Sequence, residues 1–203
     1  MIENTKLLLQ KVIEAAEQET AVNGCFSGEE VKLQQEKLEF KQCKLKQVSL
    51  NESTLNRSEW TDVVLEGCDL SNVLLRDSSL YRVTFRRCKL FGVDMSGAFL
   101  RNVNMEDCAC HYINLSNSQW REVSFHHCDF SGASLDCVTH KKWKLVECNL
   151  QHANFFQTSL EGQDLSSCNI GGILLEGKEL RGTVLSQWQM PELARFLGVK
   201  IKD

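Results

Sequence analysis

No stretch of this 203-residue chain approaches the roughly 18 consecutive apolar residues of a membrane-spanning helix, so no helical membrane segment is expected. The opening residues, MIENTKLLLQKVIEAAEQE, lack the basic start and small-residue cleavage site of a secretory signal and carry Glu3, Glu14, Glu17 and Glu19 instead. A cytoplasmic location is the resulting expectation. Basic excess is missing too: the net charge is -4, against the strong positive balance a general nucleic-acid binder needs to displace counterions from phosphates. The acidity is local, since residues 1–39 hold eight acids and four bases while residues 40–190 hold 17 acids and 16 bases. Also absent are a phosphate loop, Gly-x-Ser-x-Gly, His-Glu-x-x-His and Cys-x-x-Cys, which leaves no motif for hydrolysis, nucleotide binding or a zinc knuckle. The chain is read as no enzyme, with no cofactor and no metal.

What is present is a comb. From Phe40 to Met190 there are 31 positions spaced by five residues, and 29 of them are Leu, Phe, Met, Ile or Trp; only Cys110 and His140 depart. Two residues before each tooth lies a second column, mostly small or β-branched, such as Val63, Cys68, Val73, Ser78, Val83 and Cys88. Side chains of an extended chain reverse face at each residue, so tooth and second column share a face, and a period of five forces a turn after each short extended piece. Read at every fourth unit, the second column repeats: Cys68, Cys88, Cys108, Cys128, Cys148 and Cys168 are twenty apart, as are Val63, Val83, Val103 and Val123. Four five-residue units therefore make one coil, and successive coils lie about 4.8 Å apart, the parallel-strand spacing. Over residues 40–190 this predicts about 7.5 coils and a rod on the order of 36 Å long.

The ten cysteines are then packing elements. Stacked, in-register positions hold Cβ atoms near 4.8 Å apart, whereas a disulfide wants roughly 3.8 Å, and buried thiols behave as small hydrophobes. His111, His126, His127, His140 and His152 are close in sequence but fall on different faces, so no shared ligand site is expected. The segment Val138–Trp143 breaks both columns at once, placing His140 at a tooth and Trp143 where a small residue belongs, and bulk there is expected to distort the coil.

Units such as Ala98-Phe99-Leu100-Arg101-Asn102, Ala133-Ser134-Leu135-Asp136-Cys137 and Cys68-Asp69-Leu70-Ser71-Asn72 resemble the pentapeptide-repeat family, whose pattern is Ala-(Asp/Asn)-Leu-X-X. The resemblance covers about three quarters of the chain. It implies an all-β fold, a right-handed quadrilateral parallel β-helix around a packed core with no separate cofactor pocket. The expected organisation is residues 1–37 as an N-terminal amphipathic helix and lead-in cap, 38–190 as the β-helix, and 191–203 as a C-terminal helix and tail. The N-terminal helix is read from Leu8, Leu9, Val12, Ile13, Ala15 and Ala16, followed by a loop around Asn23 to Gly28 and a short strand before the first coil. Pro191 opens the second helix and Gly198 stops it. The apolar set Trp188, Met190, Leu193, Phe196, Leu197 and Val199 is a candidate dimer interface, and the ending from Gln187 to Val199 looks like that of the quinolone-resistance pentapeptide proteins, which implies a two-fold homodimer.

Outside the comb, Tyr81, Arg82, Arg101, Arg121, Lys141 and Lys142 follow the teeth of one face and form a basic stripe, interrupted by Asp62, Glu122 and Glu161. This is the candidate partner face. Two functional readings follow. In the first, implied by the resemblance, the protein is a non-catalytic DNA mimic that binds DNA gyrase or topoisomerase IV and affects quinolone susceptibility. In the second it is a scaffold or binding module with an unrelated protein partner, the general use of repeat rods.

Overall fold

The computed structural model describes residues 21–196 and 198–199. Seven parallel strands, β1 (Ala21–Ser27), β2 (Glu39–Lys46), β3 (Glu59–Glu66), β4 (Ser79–Arg86), β5 (Phe99–Glu106), β6 (Gln119–His126) and β7 (Thr139–Val146), stack in chain order. From β2 to β7 each residue pairs with the one twenty positions later, as in Leu80↔Leu100↔Trp120↔His140. Isolated parallel bridges such as Asp69↔Lys89 and Leu74↔Asp94 build the other two faces, giving four faces per coil. Every tooth from Phe40 to Leu175 except His140 is buried, and the second column is buried beside it, forming one continuous core. The fold is thus a quadrilateral parallel β-solenoid.

The corners need a backbone that the comb does not reveal. Two residues after a tooth the chain turns, and φ there is positive even where the residue is not glycine: Asn72 (57°), Tyr112 (56°) and Lys142 (56°) are examples. L-residues in that region cost free energy, of order 1 kcal/mol or more each. Stacking over-determines them, because the corner N–H donates to a carbonyl nineteen residues on: Asn72 to Phe91 at 2.8 Å and Tyr112 to Ser131 at 3.0 Å. At Gly132 an added Cβ would also meet the Tyr112 ring at 2.6 Å, so corner residues of adjacent coils are packed on each other.

One expectation about the start changes. A strand does precede the first full coil, but it occupies the expected loop at Asn23–Gly28: β1 spans Ala21–Ser27 and pairs with β2. Phe26 sits beside Leu45 and Val31 is buried, one residue out of the comb, because a register shift shortens the first coil. A count at strict multiples of five passes over that slip. The expected N-terminal helix lies outside the described residues.

At the other end the short helix Met190–Phe196 follows a 3-10 turn, Gln187–Gln189. The last coils leave backbone groups without a coil beyond them, and side chains take over. Glu179, only 3% exposed, accepts the N–H of Gln157 at 3.1 Å and that of Glu176 at 2.9 Å. Gln189 Nε2 donates to the carbonyls of Leu165 (2.8 Å) and Cys168 (2.7 Å), and the Glu192 carboxylate accepts the Gly172 N–H at 3.0 Å. Among the described residues no helix is long and apolar enough to cross a membrane.

Candidate binding face

The face centred on Trp60, Leu80, Leu100, Trp120 and His140 carries the sequence-predicted stripe, and the register sorts it into columns. Tyr81, Arg101, Arg121 and Lys141 stand side by side on β4 to β7. Arg82 and Lys142, one position further on, leave the set of free cations. Arg82 donates to both oxygens of Asp62 at 2.5 and 2.6 Å, and Lys142 pairs with Glu122 at 3.3 Å. The Asp62 carboxyl is held below its usual range by the hydrogen bond from Arg82, whose own pKa is raised by it. Tyr81 lies under two guanidinium groups, Arg82 at 3.8 Å and Arg101 at 5.3 Å from the ring centre.

Arg101, Arg121 and Lys141 remain, and none of them pairs with a carboxylate among the described residues. Like charges in directly opposed positions destabilise a sheet, and at about 4.8 Å two unit charges repel by about 1 kcal/mol even at the dielectric of water. Apart from the Arg101–Tyr81 contact, no charged partner offsets that repulsion among the described residues. Beside it run Phe99, Gln119 and Thr139, also in register, with Phe99 50% exposed. Between the two columns lies a shallow groove of about 420 Å³ whose floor is Leu100, Trp120 and His140.

Several other charges compensate one another across coils. Glu66 pairs with Arg87, Glu106 with Arg86 (3.0 Å), Asp69 with Lys89 (3.7 Å), Asp94 with Arg76 (2.6 Å) and Glu52 with Lys32 (2.6 Å). In these columns acids alternate with bases from coil to coil.

The irregular segment resolves differently from expectation. Trp143 occupies the valine column and is 6% exposed, yet β7 keeps its register, with Val123↔Trp143 paired. Its indole takes the volume that a large tooth at 140 would fill, 5.2 Å from Trp120 and 4.9 Å from His140 between ring centres. The coil escapes distortion because His140 moves out, half-buried, with Nε2 2.5 Å from the Ser159 carbonyl. Burial lowers the His140 pKa. Trp60 and Trp120, at teeth, each donate to the serine two residues earlier, Ser58 and Ser118, at 2.7 Å. Trp143 has Lys141 there, directed outward, and its Nε1 is buried with no hydrogen-bond partner.

All ten cysteines are free and eight are buried. They do more than fill space: Cys68, Cys88, Cys128 and Cys148 donate to carbonyls of the preceding coil, Leu45 (3.4 Å), Leu65 (3.5 Å), Met105 (3.4 Å) and Phe125 (3.6 Å). Burial pushes the Cys43 thiol up to about 11, and a hydrogen bond with the neighbouring thiol Cys108 helps push Cys88 up to about 12. Thiols held protonated are poor nucleophiles and poor metal ligands. The histidines stay apart: His111 contacts Ser131 at 2.7 Å and His127 contacts Glu147 at 3.0 Å. No group of His, Cys, Asp and Glu among the described residues converges on a metal position.

The apolar C-terminal set divides. Trp188 (83% exposed), Met190 and Val199 face outward, whereas Phe196 packs against the rod and lines a shallow pocket with Leu180 and Leu193. Leu197 lies outside the described residues.

A stacked parallel coil around a closed apolar interior, with the charged side chains on its outer faces, defines a β-solenoid. The chain is a member of the pentapeptide-repeat family: a model described as a pentapeptide repeat region matches residues 58–135, and one described as pentapeptide repeats in eight copies matches residues 144–187. No curated protein matches the chain. Among solved structures, QnrB1, a plasmid-mediated fluoroquinolone resistance protein, is 17% identical, with 89% of this chain and 98% of that one covered and a TM-score of 0.41. HetL, a pentapeptide-repeat protein involved in heterocyst differentiation regulation in the cyanobacterium Nostoc sp. strain PCC 7120, is 16% identical over 80% of this chain and 87% of its own, with a TM-score of 0.29. At such scores the likeness to these two carries no argument, and the family rests on the repeat matches.

Proposed function

We propose that this protein is a non-catalytic binding module that engages an anionic surface of a protein partner through the face bearing Arg101, Arg121 and Lys141. One observation carries the reading. Three cations on consecutive rungs of one column, Arg101, Arg121 and Lys141, have no carboxylate partner among the described residues, and they border a groove with an exposed phenylalanine. Their mutual repulsion is offset when an anion binds. The narrower reading, a DNA mimic acting on DNA gyrase or topoisomerase IV, calls for anionic charge laid along the rod, and the alternation of acids with bases supports it less well. Ten free thiols suit a reducing compartment, in keeping with action in the cytoplasm. The outward Trp188, Met190 and Val199 support a two-fold contact between copies at the C-terminal end.

Photo-cross-linking tests the face without knowledge of the partner. A benzophenone amino acid in place of Phe99 should give a discrete adduct in cells, lost when Arg101, Arg121 and Lys141 are all changed to Glu. The same probe at the exposed Phe91 or Phe156, on other faces, should give none. Adducts that form equally at all three positions, or that survive the charge reversal, refute the assignment. For the narrower reading, supercoiling by purified gyrase that is unaffected by micromolar protein removes the DNA mimic.

A further inference from the structure

The spacing of the cation ladder restricts what can lie on it. Arg101, Arg121 and Lys141 are consecutive rungs of a parallel sheet, so their backbone positions fall about 4.8 Å apart and the outer two about 10 Å apart along the rod. An α-helix lying along the rod presents side chains at i, i+4 and i+7 in one row, and at 1.5 Å per residue that row spans about 10.5 Å. An extended strand presents i, i+2 and i+4 on one face over about 13 Å, so its third carboxylate overshoots by about 3 Å. Helical carboxylates therefore match the ladder's overall span, in steps of about 6 and 4.5 Å against rungs of about 4.8 Å.

The ladder also has ends and a side. Tyr81, stacked under Arg82 and Arg101, closes it toward the N-terminus, and Glu161, in the equivalent position one coil after Lys141, presents a repelling charge toward the C-terminus. The recognised row is thus limited to three acids. On one flank stands Phe99, half exposed over the groove. With 100° per residue, position i+3 of a helix falls beside the row of i, i+4 and i+7, where an apolar side chain meets a flanking aromatic. A nucleic acid strand also offers spaced anions, but the net charge of -4 opposes it beyond this one ladder.

We propose that the ladder Arg101–Arg121–Lys141 docks an acidic amphipathic α-helix of a partner protein, laid along the rod axis with carboxylates at i, i+4 and i+7 and an apolar side chain at i+3 against Phe99. The proposal rests on the reading that this face is the partner surface. It is tested on the full chain with fluorescent, side-chain-stapled helical peptides: one carries Glu at i, i+4 and i+7 with Leu at i+3, and an isomer of identical composition spreads the same residues around the helix. A single-stranded oligonucleotide of equal charge is the third probe. The registered helix should bind about tenfold more tightly than its isomer, lose about tenfold on Arg121→Glu, and weaken as salt rises from about 50 to 200 mM. Arg57→Glu, an exposed cation paired with Glu36 on another face, should leave binding unchanged within about twofold. Equal binding of the isomer, tighter binding of the oligonucleotide, or no binding of the registered helix overturns the proposal. A Phe99 cross-link that persists alongside any of those results leaves the basic-face reading standing, so the two failures are distinguishable.

Discussion

Glu179 carries the sharpest stability prediction. Its carboxylate is buried at the last full coil and accepts two backbone N–H groups, those of Gln157 and Glu176. In the body of the rod the equivalent corner N–H reaches a carbonyl nineteen residues on, as Asp77 reaches Ser96 at 3.0 Å; for Gln157 the side chain stands in for that carbonyl. Glu179→Ala orphans both donors, at about 1–3 kcal/mol each, for a total of about 2–6 kcal/mol. Glu179→Gln keeps one acceptor and turns an amide N–H₂ toward the other donor, so about half that loss is expected. Because repeats contact only their neighbours, the damage concentrates in the C-terminal coils. Native-state hydrogen exchange should show the amides of Gln157 and Glu176 losing protection while those of β3 to β5 keep theirs, and urea unfolding should give the ordering wild type, Gln, Ala. Lys178→Ala, which removes only an exposed ion pair with Glu176, is the control at under about 1 kcal/mol. A Glu179→Ala variant within about 0.5 kcal/mol of Lys178→Ala, with exchange unchanged, would refute the capping role.

The thiol ladder predicts that a disulfide reagent at pH 8 titrates the exposed Cys25 and the half-buried Cys137 quickly and the eight buried cysteines only on unfolding; rapid reaction of several more contradicts the packing. Burial raises the Cys43 pKa from 9.0 to about 11, and the Cys108 thiol together with burial raises that of Cys88 to about 12, so the unfolded chain loses these two protons first and their contribution to stability should fall between pH 9 and 12; a thermal midpoint unchanged by Cys43→Ala and Cys88→Ala across that range, relative to pH 8, argues against it. For His140 the sign reverses: its pKa is lowered by burial, so the unfolded chain takes up the proton more readily and stability drops as pH falls below 6.5, a dependence that His140→Gln should flatten in urea titrations at pH 7 and pH 5. Trp188→Glu should halve the solution mass by light scattering without altering the far-ultraviolet spectrum, whereas Phe196→Asp should also loosen the rod's end, because Phe196 packs on its own core; an unchanged mass for Trp188→Glu removes the dimer.

The comb of large apolar residues determined the scaffold before any coordinates. A five-residue period admits few backbones that bury every tooth, and its twenty-residue harmonic in the cysteine and valine columns dictated which residues stack, down to the pairing of Arg101 with Arg121 and Lys141. Three things were not legible there. The positive-φ corners fall on Tyr112 and Lys142 as well as on Asn72, because inter-coil hydrogen bonds hold them, and nothing local in a tyrosine or a lysine announces it. Glu179 and Gln189 read as unremarkable polar residues, since the unpaired backbone they satisfy belongs to residues more than twenty positions away or on the far side of a turn. The exchange of roles between His140 and Trp143 depended on a shared volume in the core. The same holds for the candidate site: sequence placed six residues on one face, and only side-chain geometry showed that Arg82 and Lys142 are neutralised by Asp62 and Glu122 while three cations stay free of carboxylates among the described residues. Periodicity is a property of the chain and specifies which groups lie side by side, whereas the partner each charge takes is chosen among neighbours by distance, and that choice is made in the folded molecule.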